Sequence, residues 1–288
     1  DWMRVGPGGL SYGGAVDTAG DVNSDGYDDV LVGQPGDIPE EGHGAVDLYY
    51  GLAAGLSEDP VWRSLGREGG SSNKYGHSVS AAGDVNGDGY DDVIIGQPDY
   101  TVNYASEGRA YLFYGSPFGL KPAADWMASP HLSLAYFGNV VNDAGDVNGD
   151  GYADILVGAY GVNGGKGWAQ GRAYLWCGAP TGLAATPCWT ADGDQTKGYF
   201  GDGASGGVGD VNGDGYDDVL VAAPRYDAGQ TDEGRVYLYY GSPDGPGSAP
   251  VWSAESDQAG AMLGAGGGAA GDVNGDGYAD VILAAPYF

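Results

Sequence analysis

Five copies of one nine-residue motif run through this 288-residue chain, starting at Asp21, Asp84, Asp146, Asp210 and Asp272. Their first residues lie 63, 62, 64 and 62 positions apart. Self-similarity at a fixed period of this size marks a chain built from stacked or radially repeated units. A helical repeat is excluded by composition: 58 Gly and 15 Pro interrupt every apolar stretch before it reaches helical length.

Each copy places oxygen-bearing side chains at positions 1, 3, 5 and 9, Gly at position 6, and at position 7 a Tyr whose backbone carbonyl supplies another oxygen. The five sets are Asp21, Asn23, Asp25, Tyr27 and Asp29; Asp84, Asn86, Asp88, Tyr90 and Asp92; Asp146, Asn148, Asp150, Tyr152 and Asp154; Asp210, Asn212, Asp214, Tyr216 and Asp218; and Asp272, Asn274, Asp276, Tyr278 and Asp280. Hard cations of calcium's size take six to eight oxygens at about 2.3–2.6 Å, which a tight turn with alternate inward side chains supplies. The Gly permits that turn, lacking the Cβ that closes left-handed backbone to other residues. About five bound Ca2+ are therefore expected, one per repeat.

An EF-hand would continue to a bidentate Glu at position 12, where this chain has Val32, Ile95, Val157, Val221 and Leu283. Each loop instead enters a short β-branched run, such as Val93-Ile94-Ile95 or Val219-Leu220-Val221, which reads as a buried strand. Every period holds four strand-like segments. The first precedes the loop and carries Tyr12-Gly13, Tyr75-Gly76, Phe137-Gly138, Phe200-Gly201 or Leu263-Gly264. The second comes directly after it. The third alternates aromatic residues, as in Arg109-Ala-Tyr-Leu-Phe-Tyr114, and the fourth carries Trp2, Trp62, Trp126, Trp189 or Trp252. Four short antiparallel strands per unit, with periodic Gly and aromatic landmarks, predict an all-β β-propeller of four-stranded blades. Small first-strand residues suit the crowded centre, and Trp and Tyr fill the wider wedge between blades.

A Phe-Gly segment, a DxNxDGxxD loop, a strand ending near Gly-Ala-Pro and a Val-Tyr-Leu-Phe-Tyr-Gly-like strand together resemble the FG-GAP repeat of integrin α-subunit propellers and related bacterial proteins. The resemblance covers nearly the whole chain. It implies that the loops join first and second strands on one face, that the five sets above are calcium ligands, and that partners bind loops of the opposite face. Departures are mild: Gly33-Gln34-Pro35 and Gly96-Gln97-Pro98 lack the Ala, Tyr160 replaces a Pro, and Leu263 replaces the Phe.

The even periodicity predicts one repetitive domain over 1–288, with repeats at about 6–66, 67–129, 130–192, 193–255 and 256–288. Residues 1–5 read as an unattached fourth strand, and the fifth repeat ends before its third. Two readings stay open: two further blades come after it, giving seven, or five blades close with a strand supplied otherwise. A strand donated by a neighbouring molecule would give head-to-tail assembly.

The formal charge of −29 arises from 40 acids against 11 bases. Such acidity excludes a nucleic-acid partner, which needs clustered Lys and Arg. No apolar run approaches the ~18 residues of a membrane span. Loops of this type fill at the millimolar calcium found outside cells, so an extracellular or cell-surface location is expected. Asp1 is not an initiator Met and no signal peptide is visible, which fits a processed or trimmed chain. Cys177 and Cys188 end a third strand and begin the next fourth strand, opposite each other in a hairpin, and are expected as a disulfide, with two facing thiols as the alternative.

No catalytic residues are assigned. The three His (His43, His77 and His131) have no nucleophile placed beside them. In Asp28-Asp29 and its equivalents, adjacent strand residues face opposite ways, so position 9 binds metal and position 8 faces solvent. The expected function is a binding or adhesion module for a protein or glycan, with specificity in the inserts Gly36–Gly44, Asp99–Gly108, Gly161–Gly171 and Arg225–Gly234 and their aromatic residues Tyr100, Tyr104, Trp168 and Tyr226. A surface-layer or filament subunit is the competing reading. A calcium-bearing polysaccharide lyase is a third, and would need a base and a Tyr in one cleft.

Overall fold

The computed structural model describes residues 11–38, 42–66 and 74–288. The expected strand at 1–5 with Trp2, and the tip of the first insert at 39–41, lie outside the described residues. Among those described there is no helix.

The first repeat holds β1 (Ala15–Gly20), β2 (Asp29–Ile38), β3 (Gly42–Tyr49), the two-residue pair β4 (Gly51–Leu52) and β5 (Gly55–Leu56), and β6 (Trp62–Leu65). The second holds β7 (Ser78–Gly83), β8 (Asp92–Gln97), β9 (Arg109–Phe113) and β10 (Trp126–Ala128). The third is β11 (Val140–Gly145), β12 (Asp154–Ala159), β13 (Arg172–Trp176) and β14 (Trp189–Asp192). The fourth is β15 (Asp202–Gly209), β16 (Asp218–Ala223), β17 (Arg235–Tyr239) and β18 (Trp252–Glu255), and the fifth is β19 (Gly266–Gly271) and β20 (Asp280–Ala284). Four repeats thus form four-stranded antiparallel sheets ordered as in the chain, β1-β2-β3-β6, β7-β8-β9-β10, β11-β12-β13-β14 and β15-β16-β17-β18, and the fifth pairs β19 with β20. These sheets are propeller blades.

Contacts divide the chain into two compact units, 1–141 and 142–288. In the first, one core joins Leu31, Val46 and Leu48 to Val93, Ile95, Tyr111 and Phe113. In the second, Leu156, Leu175, Phe200, Val219, Val221, Tyr237 and Tyr239 form the equivalent core. The second strands of the second, third and fourth repeats are covered on both faces: every residue of β8, β12 and β16 is buried. Register repeats with the sequence, pairing Ile95 with Tyr111, Val157 with Tyr174 and Val221 with Tyr237. In the first blade Val32 faces Asp47, a buried acid held by Arg63 Nη1 at 2.9 Å.

The fourth-strand Trp packs forward onto the next blade. Trp62 stands edge-on to Phe113, and Trp189 edge-on to Tyr239, each with ring centroids 5.0 Å apart. Geometries of this kind add about 0.5–1.5 kcal/mol beyond the area they bury.

The Phe-Gly landmarks lie before the first strands rather than within them. Gly76, Gly138, Gly201 and Gly264 have φ of 78°, 81°, 84° and 87°, so each ends a tight turn that a strand backbone does not accommodate. Before Gly138 and Gly201 the Phe buries its ring and donates its N–H to the blade before: Phe137 to Glu107 O at 3.4 Å, Phe200 to Gln170 O at 3.2 Å.

Candidate metal centre

Four of the first strands end in a register shift at a glycine of positive φ, at Gly20, Gly83, Gly209 and Gly271. A bulge of this kind bends the chain and re-aims the segment beyond it. That segment is the acidic loop, which winds around its own first carboxylate. In every loop the N–H groups of positions 5 and 6 donate to the two oxygens of position 1: Asp25 and Gly26 to Asp21, Asp88 and Gly89 to Asp84, Asp150 and Gly151 to Asp146, Asp214 and Gly215 to Asp210, and Asp276 and Gly277 to Asp272. The position-7 Tyr N–H then donates to the position-5 carboxylate, at 3.0–3.2 Å across the loops. Asn86, Asn148 and Asn274 accept the position-5 N–H at 2.9 Å.

Position 4 takes left-handed backbone in all five loops: φ is 72° at Gly87, 72° at Gly149, 77° at Gly213 and 75° at Gly275, but the first loop has Ser24 at 56°.

Position 9 ties the loop to the sheet. Asp92 accepts Val85 N–H at 3.0 Å on Oδ2 and Gly115 N–H at 2.9 Å on Oδ1. Asp29, Asp154 and Asp218 make the same pair of bonds, with Gly51, Gly178 and Gly241 closing from the ends of the third strands. All four carboxylates are buried. Burial pushes Asp92 up to about 8, Asp154 to about 7, and Asp29 and Asp218 to about 6; the backbone N–H bonds oppose the rise, and the position-5 and position-1 acids of the same loop add to it.

The donor set fits a hard divalent cation. It is all oxygen, and in the first loop Asn23 Oδ1 is buried with no hydrogen-bond partner, an orphaned acceptor at a ligand position. Positions 1, 3, 5 and 9 with the position-7 carbonyl would hold the ion, which supplies positive charge that keeps mutually repelling acids ionised. Side chains are less gathered than that set implies: among the described residues, the one group with three carboxylates mutually within 4.8 Å is Glu233, Glu255 and Asp257, outside the loops. There Glu255 pairs with Arg235, and Glu233 accepts the N–H groups of Ala228 and Gln230.

Position 8 does not uniformly face solvent. Asp91 Oδ2 accepts Asp21 N–H at 2.8 Å, and Asp217 Oδ2 accepts Asp146 N–H at 2.8 Å. These acids belong to one repeat and grip the loop of the repeat before.

The expected recognition residues divide by burial. Tyr100 is buried under the Arg109 guanidinium, 3.8 Å from its ring centroid, and Tyr226 is half-buried beneath Arg235 at 4.5 Å. Tyr104 and Trp168 are each 46% exposed. Trp168 joins Tyr199, edge-on at 6.3 Å, which also contacts Tyr160 and carries Arg225 over its ring at 5.0 Å. Sequence reasoning does not single out Tyr199 and Arg225, because they come from a different repeat than Trp168.

Another feature emerges only in the structure. Glu107, Gln170 and Glu233, each just before a Gly-Arg pair, are buried and hold the loops between second and third strands from inside. Glu107 Oε1 accepts the N–H groups of Val102 and Asn103, and Gln170 Oε1 accepts that of Lys166. The recurrence of Glu/Gln-Gly-Arg is the signal in the sequence that could have found them. Cys177 and Cys188 form a disulfide, with Cα atoms 5.9 Å apart. His131 Nδ1 lies 3.3 Å from Glu107 Oε2, and burial with nearby Lys74 lowers His77 below its ordinary value.

The family model described as "FG-GAP repeat" matches residues 75–113, 141–176, 203–239 and 264–288. The chain is 33% identical over 226 residues to integrin alpha-PS2 of Drosophila melanogaster, covering 74% of this chain and 15% of that protein. It is 32% identical over 176 residues to integrin alpha-PS3 of the same organism, covering 59% and 14%. With integrin alpha-IIb of Mus musculus it shares 37% over 162 residues, covering 52% and 15%. The chain thus spans about one seventh of the length of these relatives.

Proposed function

From the premise that the chain is an FG-GAP repeat protein similar to integrin α-subunits, we propose that it is an extracellular, calcium-stabilised binding module for a protein or glycan ligand. The calcium ligands are the five sets of positions 1, 3, 5, 7 and 9, one ion per repeat. The metal's role is structural, and recognition belongs to the loops between second and third strands.

One observation carries this reading. Those loops are braced from within by Glu107, Gln170 and Glu233, and the two held by Glu107 and Gln170 present Tyr104 and Trp168 outward. Bracing lowers the ordering cost of binding, and exposed aromatics provide broad contact area. The Trp168, Tyr199, Tyr160 and Arg225 cluster offers both ring faces and a cation to a sugar or a peptide side chain. The Cys177–Cys188 disulfide favours an oxidising compartment. In this reading the chain is not an enzyme: His131 and Glu107 pair with each other to shape a loop.

Glycan and extracellular-matrix protein arrays, probed in calcium with wild type and with Trp168→Ala and Tyr104→Ala, test the assignment. Loss of the ligand signal in one or both variants, with unchanged melting, supports it. Full binding by both sinks the choice of face.

A further inference from the structure

Asp91 touches two acidic loops at once. In sequence it stands between Tyr90 and Asp92, both among the second loop's proposed ligands. In space its Oδ2 accepts Asp21 N–H at 2.8 Å, and its own N–H donates to Asp21 O at 3.3 Å. The peptide of the first loop's leading ligand is thereby held on both sides by the second loop. Ser116 N–H adds a third tie, to Val22 O at 3.0 Å.

The fourth repeat repeats the device on the third. Asp146 N–H donates to Asp217 Oδ2 at 2.8 Å, Asp217 N–H to Asp146 O at 3.2 Å, and Ser242 N–H to Val147 O at 3.0 Å. Both clasps need a glycine opposite: a Cβ at Gly20 would come within 2.2 Å of Asp91 Oδ2, and one at Gly145 within 2.1 Å of Asp217 Oδ2. The fifth repeat has Ala279 at this position, and Asp210 receives only a backbone bond, Ala279 N–H to its carbonyl at 3.0 Å.

We propose that Asp91 and Asp217 are positioning residues that couple the calcium loops in pairs, first with second and third with fourth, so that an ion in one raises its partner's affinity. The inference rests on the loops binding calcium. An ion in the second loop fixes the carbonyl of Tyr90 and the carboxylate of Asp92, which immobilises Asp91 between them. The fixed Asp91 then holds the peptide of Asp21 in its ligating position before calcium arrives at the first loop. Linkage makes the effect reciprocal.

Hydrogen exchange of the peptide covering residues 20–29, followed against free calcium, reads the first loop alone. Asp88→Ala, which disables the second loop, is expected to raise the calcium midpoint of the first about fivefold or more. In an Asp91→Ala background the same change moves that midpoint by no more than about twofold, as for independent sites. Asp91→Asn keeps an acceptor oxygen and restores the larger shift. Asp276→Ala, which disables the fifth loop, moves the fourth loop's midpoint by less than about twofold, since Ala279 offers no carboxylate. Should Asp91→Ala fail to fold, Asp214→Ala with and without Asp217→Ala, read on residues 145–154, gives the same cycle independently. Equal shifts with and without the aspartate, or no shift in its presence, overturn the coupling. Absence of any calcium-dependent protection overturns both the coupling and the calcium reading beneath it.

Discussion

Gly115 donates its backbone N–H to Asp92 Oδ1 at 2.9 Å, joining the end of a third strand to the last residue of the acidic loop. The bond joins two neighbouring strands and does not require metal. Asp92→Ala would leave that N–H and Val85 N–H buried without acceptors, each costing about 1–3 kcal/mol. In chelator, the variant is expected to lose about 2–6 kcal/mol in urea unfolding. Asp280, whose carboxylate accepts Val273 N–H at 3.0 Å in a half-exposed setting, should tolerate alanine better. Equal losses at both positions would show that the sheet tie is not what position 9 contributes.

Ser24 occupies a left-handed position that four sister loops fill with glycine. For a residue with a Cβ that backbone costs about 1–2 kcal/mol. Ser24→Gly is therefore expected to raise the unfolding midpoint, by about 0.5–1 kcal/mol after glycine's larger unfolded-state entropy is deducted. Gly149→Ala should do the reverse and more, because its Cβ would sit 2.6 Å from the Tyr216 ring. A neutral Gly149→Ala in thermal melting would contradict the packing of the fourth repeat's Tyr on the third loop.

The blades are legible in the sequence because backbone constraints repeat: glycine at forced φ values, β-branched second strands covered on both faces, and Trp at the start of every described fourth strand. The Phe-Gly turns read as parts of strands because tyrosine and phenylalanine favour strands, whereas the φ of the next glycine, 81° at Gly138, decides otherwise. Local alternation also misplaces Asp91 and Asp217. It shows which way a side chain leaves its own strand and nothing about the neighbouring repeat that arrives there. Tyr100 illustrates the same limit, since a loop aromatic reads as exposed until Arg109 is found stacked over it.

His77 gives the fold a measurable pH signature. Burial, with Lys74 nearby, lowers its folded value below 6.5, while Asp99 and Asn139 act in the opposite sense. As pH falls through 6.5 the unfolded chain takes up the proton before the folded one does. The unfolded state then binds more protons, so this residue's contribution to stability is present above 6.5 and declines as pH falls toward the lower folded value. The stability difference between wild type and His77→Gln should therefore shrink between about pH 8 and about pH 5. A difference that grows on acidification would reverse the sign and place a charged partner against the ring.

Calcium removal should be the largest perturbation of all. The chain carries a formal charge of −29, and each nine-residue loop concentrates three or four acids, so each empty loop repels itself. Binding only to the folded state stabilises it by about 2.7 kcal/mol per site when free calcium is 100 times Kd. For a chain of this size one such site raises Tm by roughly 4–5 °C. Melting in chelator, then in millimolar calcium at matched ionic strength, separates ligation from screening, since salt alone weakens repulsion between exposed charges. Magnesium at equal concentration should recover much less, because it holds its waters and favours octahedral sites at about 2.0–2.1 Å. Superimposable melts in calcium and chelator would leave the five loops as hydrogen-bonded turns whose acids serve the sheet.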